Sequence, residues 1–492
     1  MRTAVRHGDR SLTYADVLSD VRRTGRALLD LGLRRGDRVA VLMADRPEVI
    51  TVGYGAHWAG IATVMLNARL GAEDHAYILG DSGARVLIHD EAHAERAAAI
   101  VGGTDVQRLI AVGEELDALR AAQPDGPGRP ETTPDDLVGL WYTGGTTGRP
   151  KGVAHTHRSM IAAWTSQLLE LGLDERETFA HVAPLTHASG AFVVPVLLRG
   201  GTNLILGGFD PERLLDAIER DRVTSTFMVP TMIYVLLDTP GLPDRDTSAL
   251  RTVIYGAAPM GPERLAHALD VFGPVFSQLY GQTEVPNQVT VLSRADHVEA
   301  LERGNTKRLT SCGREVLIAQ VRVAGADDDE VPVGETGEII ARGPHVMREY
   351  WKRPEETAET MRNGWVHTGD LARRDDEGYI YIVDRAKDLI ISGGFNVYPK
   401  EVEQALFAHP SVRDACVIGV PDDKWGEAVK AVVVADGVGE AELKAWLRER
   451  KGSVMTPKSI DFVDAIPVTA LGKHDKPALR SAYWAGRTRV VN

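Results

Sequence analysis

A chain of 492 residues is longer than one hydrophobic core usually supports, so two or more domains are expected. With 43% hydrophobic and 25% charged residues the composition is that of an ordinary globular protein, and a net charge of −13 argues against nucleic acid or an anionic membrane as partner. Cys312 and Cys416 are the only cysteines, which excludes a disulfide-stapled framework and a cysteine-rich metal site and points to a reducing, cytoplasmic setting.

From the amino terminus, "MRTAVRHGDRSLTY" has no apolar core of the kind a secretory leader needs. Thr13 and Asp16 form a capping-box-like start, and Leu18, Val21, Gly25, Leu28 and Leu29 then recur at helical spacing up to a stop at Gly32. "RVAVLM" reads as a buried strand, a helix runs near Pro47 to Gly60, and "IATVML" and "ARVLIHD" add strands. Strands separated by helices predict parallel sheets with helices on their faces. "AAQPDGPGRPETTP" is linker-like, and beyond it "TNLIL", "STFMVP" and "RTVIYGAAPM" resume the strands, with "PERLLDAIERDRV" as a helix. From about Ser311 shorter strands and turns suggest a barrel-like part. The last hundred or so residues form a separate α+β pattern: helices "PKEVEQALFAHP" and "AELKAWLRER", and strands "DACVIGVP", "AVKAVVVAD" and "SIDFVD". Apolar stretches such as "AFVVPVLL" fall short of a membrane span.

The stretch "WYTGGTTGRPKG" draws attention on chemical grounds. Gly144, Gly145 and Gly148 allow backbone N–H groups to converge on an anion, Thr143, Thr146 and Thr147 add hydroxyls, and Lys151 adds a mobile charge. Taken alone, the loop reads either as a phosphate cradle or as a glycine-rich surface turn. Its spacing is not that of a nucleotide-hydrolysing P-loop, because Arg149 and Pro150 separate Gly148 from Lys151. "HDEAH" has its Glu misplaced for a zinc helix, "THASG" lacks the first Gly of a nucleophile elbow, and no strand is followed by G-x-G-x-x-G.

Five motifs then occur in order: "YTGGTTGRPKG", "YGQTE" at Tyr280 to Glu284, "HTGD" at His367 to Asp370, "DRAKDLIISGG" at Asp384 to Gly394, and "PVTALGK" at Pro467 to Lys473. The set resembles the adenylate-forming superfamily of acyl-CoA synthetases, peptide-synthetase adenylation domains and luciferases, and is most similar to bacterial acyl- and aryl-CoA ligases. The resemblance implies an α/β fold with a large amino-terminal domain, residues 1–384, of parallel sheets plus a barrel-like part. A small mobile α+β domain, residues 385–492, turns about a hinge near Lys387. It implies a carboxylate attacking the α-phosphate of ATP, expulsion of pyrophosphate, and displacement of AMP from the acyl-AMP by the thiol of coenzyme A.

Site residues carry over as follows. The loop from Thr143 to Lys151 would hold phosphates. Tyr280 would stack on adenine, with Gly256, Ala257, Ala258, Gly281, Gln282 and Ile382 beside the nucleotide. Thr283 would contact phosphate, Glu284 would bind Mg²⁺, and Asp370 and Arg385 would meet ribose or phosphate. Lys473 would bridge the attacking carboxylate and the α-phosphate. His187 would stand beside the substrate carboxylate and the thiol path, or be a buried hydrogen-bonded structural histidine. With Gly256, Gly281, Val285 and Pro286 it would line an acyl slot. No amine-binding Asp is visible among these positions, which favours an aromatic or medium-length apolar acid. Ser392, Gly393, Gly394 and Trp425 would approach coenzyme A. Met455 and Thr456 replace a Tyr-Lys pair common in the family, which leaves the acceptor open. Carrier-protein loading, ATP- and nitrite-dependent diazotisation of an aryl amine, and a non-catalytic nucleotide-binding protein are the alternatives. Oligomeric state is not readable.

Overall fold

The computed structural model describes residues 2–128, 130–143, 149–286, 288–468 and 474–484. The turn residues Gly144, Gly145, Thr146, Thr147 and Gly148, and Lys473, therefore lie outside the described residues. The chain splits into two compact units. One takes in the residues up to 143 together with Pro150–Val321 and Ala341–Val366; the other takes in Arg322–Ile340 and the residues from His367 onward.

The first unit carries two largely parallel sheets. In the seven-stranded sheet the spatial order is Glu349–Tyr350, Lys151–Thr156, Leu137–Thr143, Ala62–Met65, Arg38–Leu42, Val86–His89 and Arg108–Ala111. In the nine-stranded sheet, Phe276–Tyr280, Thr252–Gly256, Ser225–Met228 and Thr178–His181 are successive parallel neighbours. Between strands come amphipathic helices such as Pro211–Arg220, whose Leu214, Leu215 and Ile218 are buried and whose first position is proline. The first helix, Tyr14–Asp30, has the expected box, Thr13 and Asp16 exchanging side-chain and backbone hydrogen bonds. Its buried face differs by one position from the expected one. Val21, Gly25 and Leu28 are buried as expected, but Leu18 is 46% exposed, and Val17, Thr24 and Ala27 face inward with them. The cause is the close crossing with helix Pro47–Trp58: a Cβ at Gly25 would lie 2.7 Å from the Gly55 carbonyl oxygen.

The second unit holds the barrel-like part, a small sheet in which Trp365–Arg374 pairs antiparallel with Ile380–Arg385 and also neighbours Gly337–Arg342. Its carboxy-terminal portion is a long hairpin, Val412–Asp422 with Gly426–Ala435, extended on one edge by Ser459–Phe462 in parallel. Ile390–Ser392 pairs with the same Gly426–Ala435 strand, antiparallel, through Ser392 and Gly426. Helices Pro399–Phe407 and Glu440–Met455 contribute Val402, Leu406, Leu443 and Leu447 to a core with Val417, Val429 and Ile460. These are the helix faces and strands that periodicity predicts. Among the described residues no helix is long and apolar enough to cross a membrane. Both cysteines are buried and unbridged.

Candidate active site

Gly256 and Tyr280 end neighbouring parallel strands, paired as Gly256↔Leu279, and ligands of open α/β sheets bind beyond such carboxyl ends. The strands approach so closely that a Cβ at Gly256 would fall 2.5 Å from the Leu279 carbonyl oxygen. The next residue, Ala257, is left-handed with φ 66°, a conformation that costs an L-residue about 1 kcal/mol. Ala257 and Ala258 are exposed just past the strand end. Strain of this kind gathers where the backbone must present itself to something else.

After Tyr280 the chain turns through Gly281, Gln282 and Thr283. The Gln282 amide donates to the Val285 carbonyl at 3.3 Å, and Val289 N–H returns to the Tyr280 carbonyl at 2.6 Å. Tyr280, Gln282, Thr283 and Glu284 are half-buried, Gly281 is exposed, and Val285 and Pro286 are buried. Three groups fix this turn. His155 Nε2–H donates to the Thr283 carbonyl at 2.7 Å. Burial pushes that imidazole down to about 4, so it is neutral, and the carbonyl acceptor assigns its proton to Nε2. The Met347 amide donates to the Glu284 carbonyl at 2.8 Å. The Tyr350 hydroxyl donates to Glu284 Oε1 at 2.6 Å. Lys151, whose ammonium sits 4.0 Å from the centroid of the Tyr350 ring, brings the glycine-rich loop's cation to the same place. Thr143 and Lys151 are paired across the two strands that flank the loop.

One carboxylate in this setting suits Mg²⁺, which takes the rest of its octahedral shell from water and phosphate rather than from a protein cage. Among the described residues no group of three or more His, Cys, Asp or Glu could hold a metal.

His187 is exposed at the start of the short turn Ala188–Phe192. The buried structural histidine of this region is a different one, His181, held between Ser189 Oγ and Asn203 Oδ1, each at 2.8 Å.

In the second unit Asp370 is buried and cross-strand from Arg385, whose Nε lies 2.6 Å from its carboxylate. Ile382 stands on the same strand as Arg385, opposite Ala372. Lys387 is half-buried, and burial first, then Arg385, lowers its affinity for a proton. Around it lies a cluster of charges. Asp388 meets Arg480 at 2.8 Å and Glu403 meets Lys476 at 3.0 Å. Asp384 accepts from the Lys400 amide at 2.8 Å, and burial pushes its carboxyl up to about 6. Lys476 is raised: burial alone would lower it, and Glu403, Asp384 and Asp388 outweigh that. The chain before Lys476 is pinned on both sides of residues 469–473. Val468 and His474 form an antiparallel bridge, and Asp475 N–H donates to the Pro467 carbonyl at 2.8 Å.

Ser392 is buried, while Gly393 and Gly394 are exposed and left-handed, with φ 60° and 82°. The Gly393 amide donates to the Trp425 carbonyl at 2.9 Å, and a Cβ at Gly393 would meet the indole at 2.2 Å. Trp425 is 37% exposed, with the ammonium groups of Lys424 and Lys458 at 4.8 and 5.5 Å from its ring. Sequence reasoning missed Tyr350, His155 and Met347. "REYW" and "GVAHTH" carry no spacing that marks them, and only strand pairing brings them to Glu284.

Comparison with known proteins gives consistent matches. The family model described as AMP-binding enzyme matches residues 1–351, and that described as AMP-binding enzyme C-terminal domain matches 401–473. The chain is 42% identical to the medium/long-chain-fatty-acid–CoA ligase FadD8 of Mycobacterium tuberculosis, over 98% of this chain and 88% of that one. It is 44% identical to a feruloyl-CoA synthase of Streptomyces, over 98% and 96%. Among solved structures, the amide bond synthetase McbA from Marinactinospora thermotolerans superposes with a TM-score of 0.91 at 33% identity, covering 98% of this chain and 97% of that chain.

Proposed function

The chain belongs to the AMP-binding enzyme family, and from that premise we propose which acid it activates and which of its residues do so. It is an AMP-forming acid–thiol ligase: ATP activates a carboxylic acid as acyl-AMP with release of pyrophosphate, and coenzyme A takes the acyl group. The acid is aromatic or of medium length and apolar. Support comes from the feruloyl and medium/long-chain names of two relatives, and from the buried apolar Val285 and Pro286 with no acidic side chain among the proposed slot positions.

The observation that carries the assignment of roles is the Glu284–Tyr350–Lys151 set, which puts one anchored carboxylate beside the cation of the glycine-rich loop. Glu284 would hold Mg²⁺, and the ion would supply charge neutralisation between phosphates. Lys151, Thr143 and Thr283, with residues 144–148, bind phosphate. Tyr280, Gly256, Ala257, Ala258, Gly281, Gln282 and Ile382 take the adenine and its surroundings, and Asp370 and Arg385 take the ribose. Lys473 completes the charge around the α-phosphate. His187, exposed past its strand, lies on the path of the thiol. Residues 1–384 form the substrate body and residues 385–492 the mobile domain, with Lys387 as pivot. Trp425 offers a stacking face with two cations to the nucleotide end of coenzyme A, beside Ser392, Gly393 and Gly394. Two buried unbridged cysteines fit a cytoplasmic enzyme.

Pyrophosphate exchange into ATP across a panel of aryl acids, C6 to C12 fatty acids, α-amino acids and nitrite tests the reading. Aryl or medium-chain acids are expected to support the fastest exchange; an amino acid or nitrite doing so overturns it. An amine or carrier protein as acceptor is the second reading, the amine drawn from the likeness to McbA and the carrier from a 34% identical fatty acid–[acyl-carrier-protein] ligase of Streptomyces coeruleorubidus. Product formation that proceeds with an amine or a carrier and not with coenzyme A would establish it.

A further inference from the structure

We propose that Tyr350 is a positioning residue that couples the lysine of the glycine-rich loop to the metal-binding carboxylate. The inference deepens the assignments of Lys151 and Glu284 made above and rests on them. Tyr350 is 4% exposed, so its phenol is not a surface group that happens to swing past. Its two ends do different things. The hydroxyl donates to Glu284 Oε1 at 2.6 Å, and the ring face receives the Lys151 ammonium 4.0 Å from its centroid.

The backbone leaves this side chain little freedom. Strand Glu349–Tyr350 pairs with Lys151–Thr156 in the register Tyr350↔Val153, two residues from Lys151. Trp351 N–H donates to the Gly152 carbonyl at 2.7 Å. Three residues before Tyr350, the Met347 amide holds the carbonyl of Glu284 itself. The two chemical partners of Tyr350 are thus the two segments its own backbone is stitched to.

The physical consequence is preorganisation. A glutamate has three rotatable side-chain bonds, and fixing them on metal binding costs entropy. A phenol bound to Oε1 fixes them beforehand and leaves the carboxylate aimed. A charged acceptor makes this hydrogen bond stronger than a neutral one. The ring also gives the Lys151 ammonium a resting place that is not the carboxylate, since a direct Lys–Glu ion pair would neutralise both groups before any phosphate arrived.

Tyr350→Phe keeps the ring and removes the hydroxyl; Tyr350→Leu removes both. Mn²⁺ binding to the enzyme with a non-hydrolysable ATP analogue, followed by electron paramagnetic resonance, reads the metal site without turnover. Tyr350→Phe is expected to weaken Mn²⁺ about tenfold, the usual loss when a ligand's supporting hydrogen bond goes. Its affinity for the analogue without metal should stay within about twofold, and saturating Mg²⁺ should restore its pyrophosphate exchange. Tyr350→Leu should weaken the analogue as well. Wild-type Mn²⁺ affinity in Tyr350→Phe overturns the proposal. Glu284→Gln separates the two levels. If it leaves Mn²⁺ affinity unchanged, the metal assignment fails. If it weakens Mn²⁺ and Tyr350→Phe then adds a full further loss on top, the coupling fails instead, because a shared interaction makes the two losses non-additive. A readout that needs no variant at position 350 is the tyrosine ultraviolet difference spectrum on Mg²⁺ addition. A band is expected in the wild type that Glu284→Gln lacks, and an identical band in both counts against the coupling.

Discussion

The surroundings of Glu284 in the first unit and of Asp388 in the second are both half-buried and polar, yet they are built from different bonds. Glu284 is held by a phenol, a backbone amide and, through Thr283, a neutral imidazole. Around Asp388 the bonds are ion pairs, with Arg480 and Lys476 set against Asp388, Glu403 and Asp384. On the proposed roles, the difference follows from what each place would receive. A nucleotide triphosphate and a divalent cation bring their own charges, and a carboxylate already neutralised by a fixed cation would have little left to offer them. A segment that only has to be held can neutralise itself, and paired charges hold it in one arrangement.

The comparison is sharpened most by Lys473, the cation of the second unit that is proposed to meet the α-phosphate. Lys473→Ala is expected to slow pyrophosphate exchange by about 10²- to 10³-fold while leaving thioester formation from supplied acyl-AMP nearly intact. Equal damage to both steps would deny that this lysine serves only the first. Next comes the charge cluster beside the proposed pivot, Lys387. Arg480→Leu leaves Asp388 buried without its closest partner and is expected to cost about 3 kcal/mol in urea melts. A loss below about 0.5 kcal/mol would make the pair no more than a surface contact.

A smaller effect is read in pH. The Asp384 carboxyl sits at about 6, above its ordinary value of 3.8, so the folded state binds this proton more tightly than the unfolded one does. The stability it gives is present in full below about pH 4 and is lost as pH rises through about 6, a fall of about 2–3 kcal/mol. Asp384→Asn should flatten that slope, and an unchanged slope from about pH 4 to 7 would mean another group is responsible. The least effect expected is at Trp425. Trp425→Ala should raise the KM for coenzyme A about fivefold, the worth of one stacking contact, with pyrophosphate exchange unchanged. An unchanged KM would remove the indole from the acceptor's path.

How much of this could be read from the sequence divides along the same line. Motif residues proposed to meet substrate stand close together in the chain, as in Tyr280 to Glu284 or Asp384 to Gly394, and their order identified the chemistry. The helices and strands of the carboxy-terminal portion were legible because their apolar periodicity is strict, Val402 and Leu406 on one helix and Leu443 and Leu447 on the other. Groups that support the site were not legible. His155 and Thr283 are 128 residues apart, and Tyr350 and Glu284 are 66 apart. Only the pairing of Glu349–Tyr350 with Lys151–Thr156 brings them into one place, and no local propensity encodes that pairing. The same limit displaced the buried face of helix Tyr14–Asp30: the close approach of Gly25 to Gly55 decides which residues turn inward, and Leu18 is left outside.

The neutral state of His155 has a bearing on how the enzyme behaves in a stressed cell. With its imidazole pushed down to about 4, surroundings that acidify from neutrality by a unit or more would not charge it. The grip on Thr283 is therefore insensitive to such swings, whereas the Asp384 carboxyl, at about 6, changes charge within them.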